Sequence, residues 1–320
     1  MAAGMHAVAV ARFRAPLETV ELGRPGIRAT ELLVRVEFAG MNPFDWKIAQ
    51  GFFEGKRPHV FPLVLGVDAA GIVEEVGADV RQYRVGDRVF GQFLHDPVGT
   101  GTYAEYAPVP EDVGIATVPS GLTSYEAAAL PTAGMTALLS VETLEVPAGS
   151  TIVIVGASGG VGSFATALAA ARGVRVVAVA RAAAADRLRN SGASAVVDPS
   201  TSDPIGAVRE LAPAGVEGLI DVMSDGPGFA RWASLVKPHG IAATTTFVAD
   251  QGALGSSEVR AVNINMKPEH DLLERLGHAV VEHHLKVPVE RRIRLPEAPG
   301  VLAEIWAGKS LGKTVIDLRS

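Results

Sequence analysis

Thr151-Ile-Val-Ile-Val-Gly-Ala-Ser-Gly-Gly-Val-Gly162 is the stretch whose reading decides the fold. Thr151 to Val155 is a β-branched apolar run of the kind that makes a buried strand. It breaks into glycines and restarts as Ser163-Phe-Ala-Thr-Ala-Leu-Ala-Ala-Ala-Arg172, which puts Val161, Phe164, Ala165, Leu168 and Ala169 on one helical face. Gly173 stands where a helix-terminating glycine belongs, and Val174-Arg-Val-Val-Ala-Val-Ala180 reads as a second buried strand. A strand that ends in glycines and opens a helix gathers free backbone N–H groups at the positive end of the helix dipole, which suits a phosphate. Gly159 lets the backbone approach a pyrophosphate, and Gly162 lets the helix pack close to the strand. Ala157 stands where the first glycine of G-x-G-x-x-G would be. The expected contacts of a dinucleotide are therefore Ala157, Ser158, Gly159, Gly160 and Val161.

Outward from that turn, the two halves of the chain differ in texture. Up to about residue 120, short strands are expected at His6–Ala11, Glu31–Phe38, Val67–Val76 and Asp87–Phe90, separated by Gly, Pro, Asn and Asp. Closely spaced short strands suggest a small barrel. From about Ser124 strands and helices alternate, with further strands expected at Ala195–Val197, Glu217–Val222 and Gly240–Thr246 and a helix over Glu269–Lys286. That alternation is the signature of a doubly wound parallel sheet. Thr314–Leu318 reads as a last strand, and Ala182–Ala185 as a helix start.

Composition narrows the classes. The 320 residues suffice for two domains. A net charge of −6 without a basic stripe argues against nucleic acid, and the runs Arg187–Arg189 and Val289–Arg294 read as solvated faces. No apolar run reaches the roughly 18–20 residues of a membrane span, and no secretory signal pattern is seen, so a cytoplasmic protein is expected. The absence of cysteine rules out disulfides, thiolate–zinc sites and cysteine nucleophiles. The histidines show no H-E-x-x-H spacing, and His283 and His284 are adjacent and point to different helix faces.

Seven segments in order carry a resemblance: Ala39–Asp45, Leu65–Gly77, Val85–Gly91, Gly101–Tyr106, Leu130–Ala137, the glycine turn, and Gly308–Val315. Over nearly its whole length the chain resembles the medium-chain dehydrogenase/reductase superfamily, in particular its zinc-free quinone oxidoreductase branch. The resemblance implies an α/β protein with a GroES-like barrel domain, 1–123 and 288–320, and a Rossmann domain, 124–287, with the reaction in the cleft between them. It implies a homodimer formed by edge strands of the Rossmann sheets. Zinc-dependent relatives carry a cysteine at the place of Asn42 and a histidine at the place of Val67, so no metal is expected here. Without a Lewis acid an unactivated alcohol is a poor substrate, whereas a conjugated carbonyl or quinone delocalises the charge that hydride addition creates. The activity implied is NADPH-linked reduction of a small hydrophobic quinone or α,β-unsaturated carbonyl. Two other readings stay open: an enoyl-thioester or 2-alkenal reductase of a biosynthetic pathway, and a catalytically idle NADPH-binding structural or regulatory protein.

The resemblance also nominates residues. Asn42 is expected to hydrogen-bond the substrate oxygen, and Asp45 either acts on substrate or caps a helix. Many relatives place a tyrosine where this chain has Phe53, so Phe52, Phe53 and Phe93 are expected as an apolar wall. Thr132 and Thr136 match the helix under the cofactor and either touch its nicotinamide side or bond within the helix. Phe247 and Val248 follow the fifth Rossmann strand and are expected to flank the nicotinamide. NAD enzymes usually carry an acid about 20 residues past the turn, where it binds the ribose 2′-OH. Here the count lands on Arg181, whose guanidinium suits a 2′-phosphate, with Arg187 two helical turns on to assist.

Overall fold

The computed structural model describes residues 4–200, 203–255 and 258–319. Its internal contacts divide the chain into two units. The first holds the chain up to Thr132, Pro268–Val281 and everything from Val289 on; the second holds Ala133–Lys267 and Glu282–Pro288.

The first unit is built on β1 (Gly4–Val10), β2 (Glu18–Gly23), β3 (Glu31–Gly40), β4 (His59–Val64), β5 (Asp68–Val76), β6 (Arg88–Gln92), β7 (Val98–Thr100), β8 (Tyr106–Pro110), β9 (Ile115–Thr117), β16 (Val289–Arg294) and β17 (Lys313–Asp317). One sheet runs β2-β1-β4-β7; the other runs β16-β17-β3-β5-β6-β9, with β8 also on β3. The run Val289–Arg294, expected as a solvated face, is an edge strand pairing in parallel with β17; four of its six side chains are exposed. β3 is buried along most of its ten residues because it pairs with β5, β8 and β17. Helix α1 (Pro43–Ala49) leaves the end of β3 at once, with Pro43 in its first turn, where a missing N–H costs nothing. Helices α2 (Ser124–Ala127), α8 (His270–Glu282) and α9 (Ala298–Trp306) complete the unit. α8 docks on it through Gly277, where a Cβ would lie 2.9 Å from Pro119, and through His270 Nδ1, 2.7 Å from the carbonyl of Ile115.

The second unit is a six-stranded parallel sheet ordered β12-β11-β10-β13-β14-β15. Its strands are β10 (Thr151–Val155), β11 (Arg175–Val179), β12 (Ala193–Val197), β13 (Val216–Asp221), β14 (Val236–Thr244) and β15 (Arg260–Asn263). Between them run α4 (Gly160–Ala171), α5 (Ala185–Asn190), α6 (Pro204–Leu211) and α7 (Gly226–Ala233), while α3 (Pro131–Thr143) leads in. β10 is buried from Ile152 to Val155, and Ile152, Val153, Ile154 and Val155 all lie in the core, as a strand covered on both faces requires. Helices begin where the sequence supplies caps: Asp203 and Asp225 accept from the N–H groups of Gly206 and Gly228 at 2.8 and 2.9 Å. The first strand β10 lies inside the sheet between β11 and β13, so the loops after β10 and β13 leave the sheet side by side and in opposite directions of winding.

Candidate active site

The glycine turn sits at that switch point. The N–H groups of Gly156 and Ala157 both donate to the carbonyl of Val179, at 3.2 and 3.1 Å, which ties the turn to the neighbouring strand. Gly156 has φ +80°, a conformation that L side chains rarely adopt, and a Cβ on Gly162 would lie 2.4 Å from the Gly156 carbonyl oxygen. Gly159 caps α4, so the N–H groups of Gly160, Val161 and Gly162 have no partner within the helix and remain for a ligand. Ser158, Gly159, Gly160 and Val161 are half-buried, whereas Ala157 is fully buried and offers only backbone. The residues present fit a dinucleotide phosphate.

Two arginines stand near this turn in different roles. Arg187 donates to Ser163 Oγ and to the Ser158 carbonyl, both at 2.8 Å, and so braces the turn from behind. Arg181 lies just past β11 and is exposed. Asp198, which follows β12, accepts from the N–H of Ala182 at 2.8 Å. Its carboxyl is held below the usual carboxylate range by Ser200 first, then by the Ala182 N–H and the charge of Arg181. This acid beside Arg181 was not anticipated; the place to look was the end of the third strand rather than the second. Phe247 follows β14 with φ +61° and is 62% exposed, and Val248 packs partly buried on the core of the unit. Thr136 is half-buried one turn after Thr132 along α3, and its carbonyl accepts from Ser140. Asp221, at the end of β13, is fully buried; one oxygen accepts from the N–H groups of Met223 and Ser224, and the other has no partner among the described residues.

In the first unit the nominated residues converge on a closed buried network. Asn42 is 3% exposed. Its Nδ2 donates to Asp68 Oδ2 at 2.9 Å, and its Oδ1 accepts from Lys313 Nζ at 2.6 Å. The amide orientation follows from these partners, since an ammonium only donates and a carboxylate only accepts. Lys313 also donates to the Met41 carbonyl at 2.8 Å and faces Asp68 Oδ2 at 3.8 Å. Asp68 further accepts from the hydroxyl and N–H of Thr132, at 2.6 and 3.0 Å, and Thr132 Oγ1 accepts from Gln92 Nε2 at 2.7 Å. Burial pushes the Asp68 carboxyl up and the Lys313 amine down, each opposed by the charge of the other.

Asp45 belongs to the same cluster. It is fully buried, sits in the first turn of α1, and accepts from the Asn42 N–H at 2.8 Å and from the Tyr103 hydroxyl at 2.6 Å. Its Oδ1 has no partner, and burial raises the carboxyl to about 7. These placements describe the surroundings of three nominated residues, Asp45 taking the helix-capping one of its two expected roles. Asn42 has both amide ends hydrogen-bonded within the protein, Asp45 is a fully buried helix cap, and Phe93, at 2% exposure, packs in the core. Phe52 does stay 46% exposed, edge-on to Phe44 and Phe53 with Lys56 over its ring. Asp68, Gln92, Tyr103 and Lys313 were missed as site residues. Asp68, Tyr103 and Lys313 lie inside segments singled out for the resemblance, but nothing in their spacing shows that they meet.

Known proteins bear on this geometry. Residues 28–120 match the family model of the alcohol dehydrogenase GroES-like domain, and residues 160–278 that of zinc-binding dehydrogenases. A trans-enoyl reductase of Aspergillus japonicus is 34% identical over 73% of this chain and 70% of its own. The chain belongs to the medium-chain dehydrogenase/reductases, in their quinone oxidoreductase-like branch. The solved quinone oxidoreductase of Coxiella burnetii is 27% identical and superposes with a TM-score of 0.85 over 99% of this chain and all of the other. A mycobacterial protein solved in complex with NADPH is 28% identical, with a TM-score of 0.83 over 98% and 99% of the two chains. The zinc in the second family's description does not fit the residues here. The chain has no cysteine, Asn42 and Val67 are poor zinc ligands, and among the described residues no group of three or more His, Cys, Asp or Glu is placed to hold a metal.

Proposed function

We propose that this oxidoreductase uses NADPH, without a metal, to reduce a small hydrophobic quinone or α,β-unsaturated carbonyl. The observation that carries the reading is the phosphate turn at the switch point with Arg181, not an acid, past β11. The nicotinamide supplies the hydride when bound. The backbone N–H groups of Gly160, Val161 and Gly162 hold the pyrophosphate, and Arg187 keeps the turn in shape through Ser158 and Ser163. Arg181 takes the 2′-phosphate, while Phe247 and Val248 flank the nicotinamide with Thr136. Phe52 and Phe53 present an apolar surface to the acceptor. With no tyrosine at Phe53 and no fixed Lewis acid, the acceptor delocalises the charge itself and takes its proton from water. The enzyme acts in the cytoplasm as a homodimer joined through a Rossmann edge strand, for which β15 is the candidate. The likeness to a trans-enoyl reductase supports enoyl compounds as a second acceptor class.

The test is turnover of NADPH against a panel of quinones, enones, alkenals and enoyl thioesters. Reduction of conjugated acceptors with poor use of saturated ketones and primary alcohols is expected. Efficient oxidation of an unactivated primary alcohol contradicts the reading, and binding without any turnover favours an idle NADPH-binding protein.

A further inference from the structure

Lys313 is surrounded as a bound cation is. Three oxygens face its Nζ, a backbone carbonyl (Met41, 2.8 Å), an amide oxygen (Asn42, 2.6 Å) and a carboxylate (Asp68, 3.8 Å), and the side chain is 3% exposed. Hard oxygen donors of this kind suit an ion with no preference for soft ligands. The oxygens come from the end of β3 and the start of α1 on one side and from β5 on the other, and the amine arrives from β17.

We propose that Lys313 is the resident cation of this site: a covalently held ammonium that fixes Asn42, Asp68 and, through Asp68, Thr132. The proposal rests on the metal-independent reading above and deepens it. Lys313 is a positioning residue. Its ammonium dictates that Asn42 turns Oδ1 inward and Nδ2 toward Asp68. Asp68 then holds the hydroxyl and N–H of Thr132 at the start of α3, the helix nominated to run beneath the cofactor. Stability alone does not account for such a pair, because replacing a buried ion pair by apolar or neutral groups of similar volume is often neutral or stabilising, whereas removing one partner strands the other charge. The ammonium also bars a divalent ion, which would meet a fixed positive charge among its own ligands.

The decisive experiment empties the cation position and refills it from solution. Lys313→Ala leaves room for a small amine beside the same three oxygens. Its melting temperature is measured against ethylammonium, with tetramethylammonium at equal ionic strength as control, and kcat and KM are measured alongside. Ethylammonium should raise the melting temperature saturably, because a ligand that binds only the folded state stabilises it. It should also raise kcat at least tenfold over the unsupplemented variant, with tetramethylammonium doing neither. The Asp68→Asn/Lys313→Met pair removes both charges together; it should fold and keep kcat at least tenfold below wild type. No amine-dependent rise in melting temperature, folding of Lys313→Ala neither with nor without amine, a neutral pair that fails to fold, or a neutral pair with wild-type kcat and KM each overturns the proposal. The melting curves need no turnover, so absence of activity in the wild type would count against the proposed function while this test could still be read.

Discussion

At the scale of single residues, the buried carboxylates decide how the protein responds to pH. Asp45 is raised to about 7, chiefly by burial and secondarily by the nearby Asp68 charge. Its folded form therefore holds a proton that the unfolded chain gives up near pH 4. Between those values the native state binds more protons, so stability falls as pH rises from about 4 to about 7. Asn reproduces the protonated acid, accepting from Asn42 N–H and Tyr103 without gaining a charge. Asp45→Asn should flatten that part of the profile by roughly 1–4 kcal/mol, read as melting temperature against pH and compared with wild type. Parallel profiles for the two proteins contradict the assignment. Asp68 shifts in the same sense, so the difference between variant and wild type is what isolates Asp45. Arg181 offers the second test at this scale. A charge-assisted contact is worth roughly 1.5–3 kcal/mol, or roughly 10- to 150-fold in affinity. Arg181→Asp should erase or reverse the preference for NADPH, read as the ratio of the two cofactors' kcat/KM. An unchanged ratio removes Arg181 from the cofactor site and leaves Asp198 holding a strand end.

At the scale of elements, legibility in the sequence followed the strength of periodicity. β10 was placed residue for residue at Thr151–Val155, and β11 and β13 within one residue, because buried parallel strands are continuous apolar runs rich in β-branched residues. β2, β4 and β9 went unseen for different reasons. β2 buries none of its six residues fully, β4 contains Pro62, and β9 is only three residues long. α8 ends at Glu282 rather than Lys286, since His284 takes φ +50° and breaks the helix. The phosphate turn was legible because its function is backbone geometry, written locally in glycines. The Asn42–Asp68–Lys313 network was not, because its members are 26 and 271 residues from Asn42 and meet only through strand pairing. Two glycines test this scale. Gly162→Ala puts a Cβ 2.4 Å from the Gly156 carbonyl oxygen and should weaken NADPH binding at least tenfold by direct titration, with a lowered melting temperature beside it. Gly66, with φ +91°, would carry a Cβ 2.3 Å from the Tyr103 ring; Gly66→Ala should cost roughly 2–5 kcal/mol of stability in denaturant titration. Near-native values in either case would mean that the close approaches relax freely.

At the scale of the molecule, the two units divide the labour. The second supplies a phosphate turn on a six-stranded parallel sheet; the first encloses a charge network that seats its own cation. The absence of cysteine leaves this chain without thiolate ligands for a zinc ion. On the proposed function the chemistry rests on positioning, cofactor charge recognition and an acceptor that spreads its own charge. No described helix is long and apolar enough to cross a membrane. Metal-free use of NADPH is tested most directly by steady-state oxidation of NADPH by protein dialysed exhaustively against a strong chelator, with a conjugated quinone as acceptor and NADH run in parallel. The predicted result is turnover unchanged by chelation, with kcat/KM at least tenfold higher for NADPH than for NADH. Loss of turnover that only added zinc restores would contradict it.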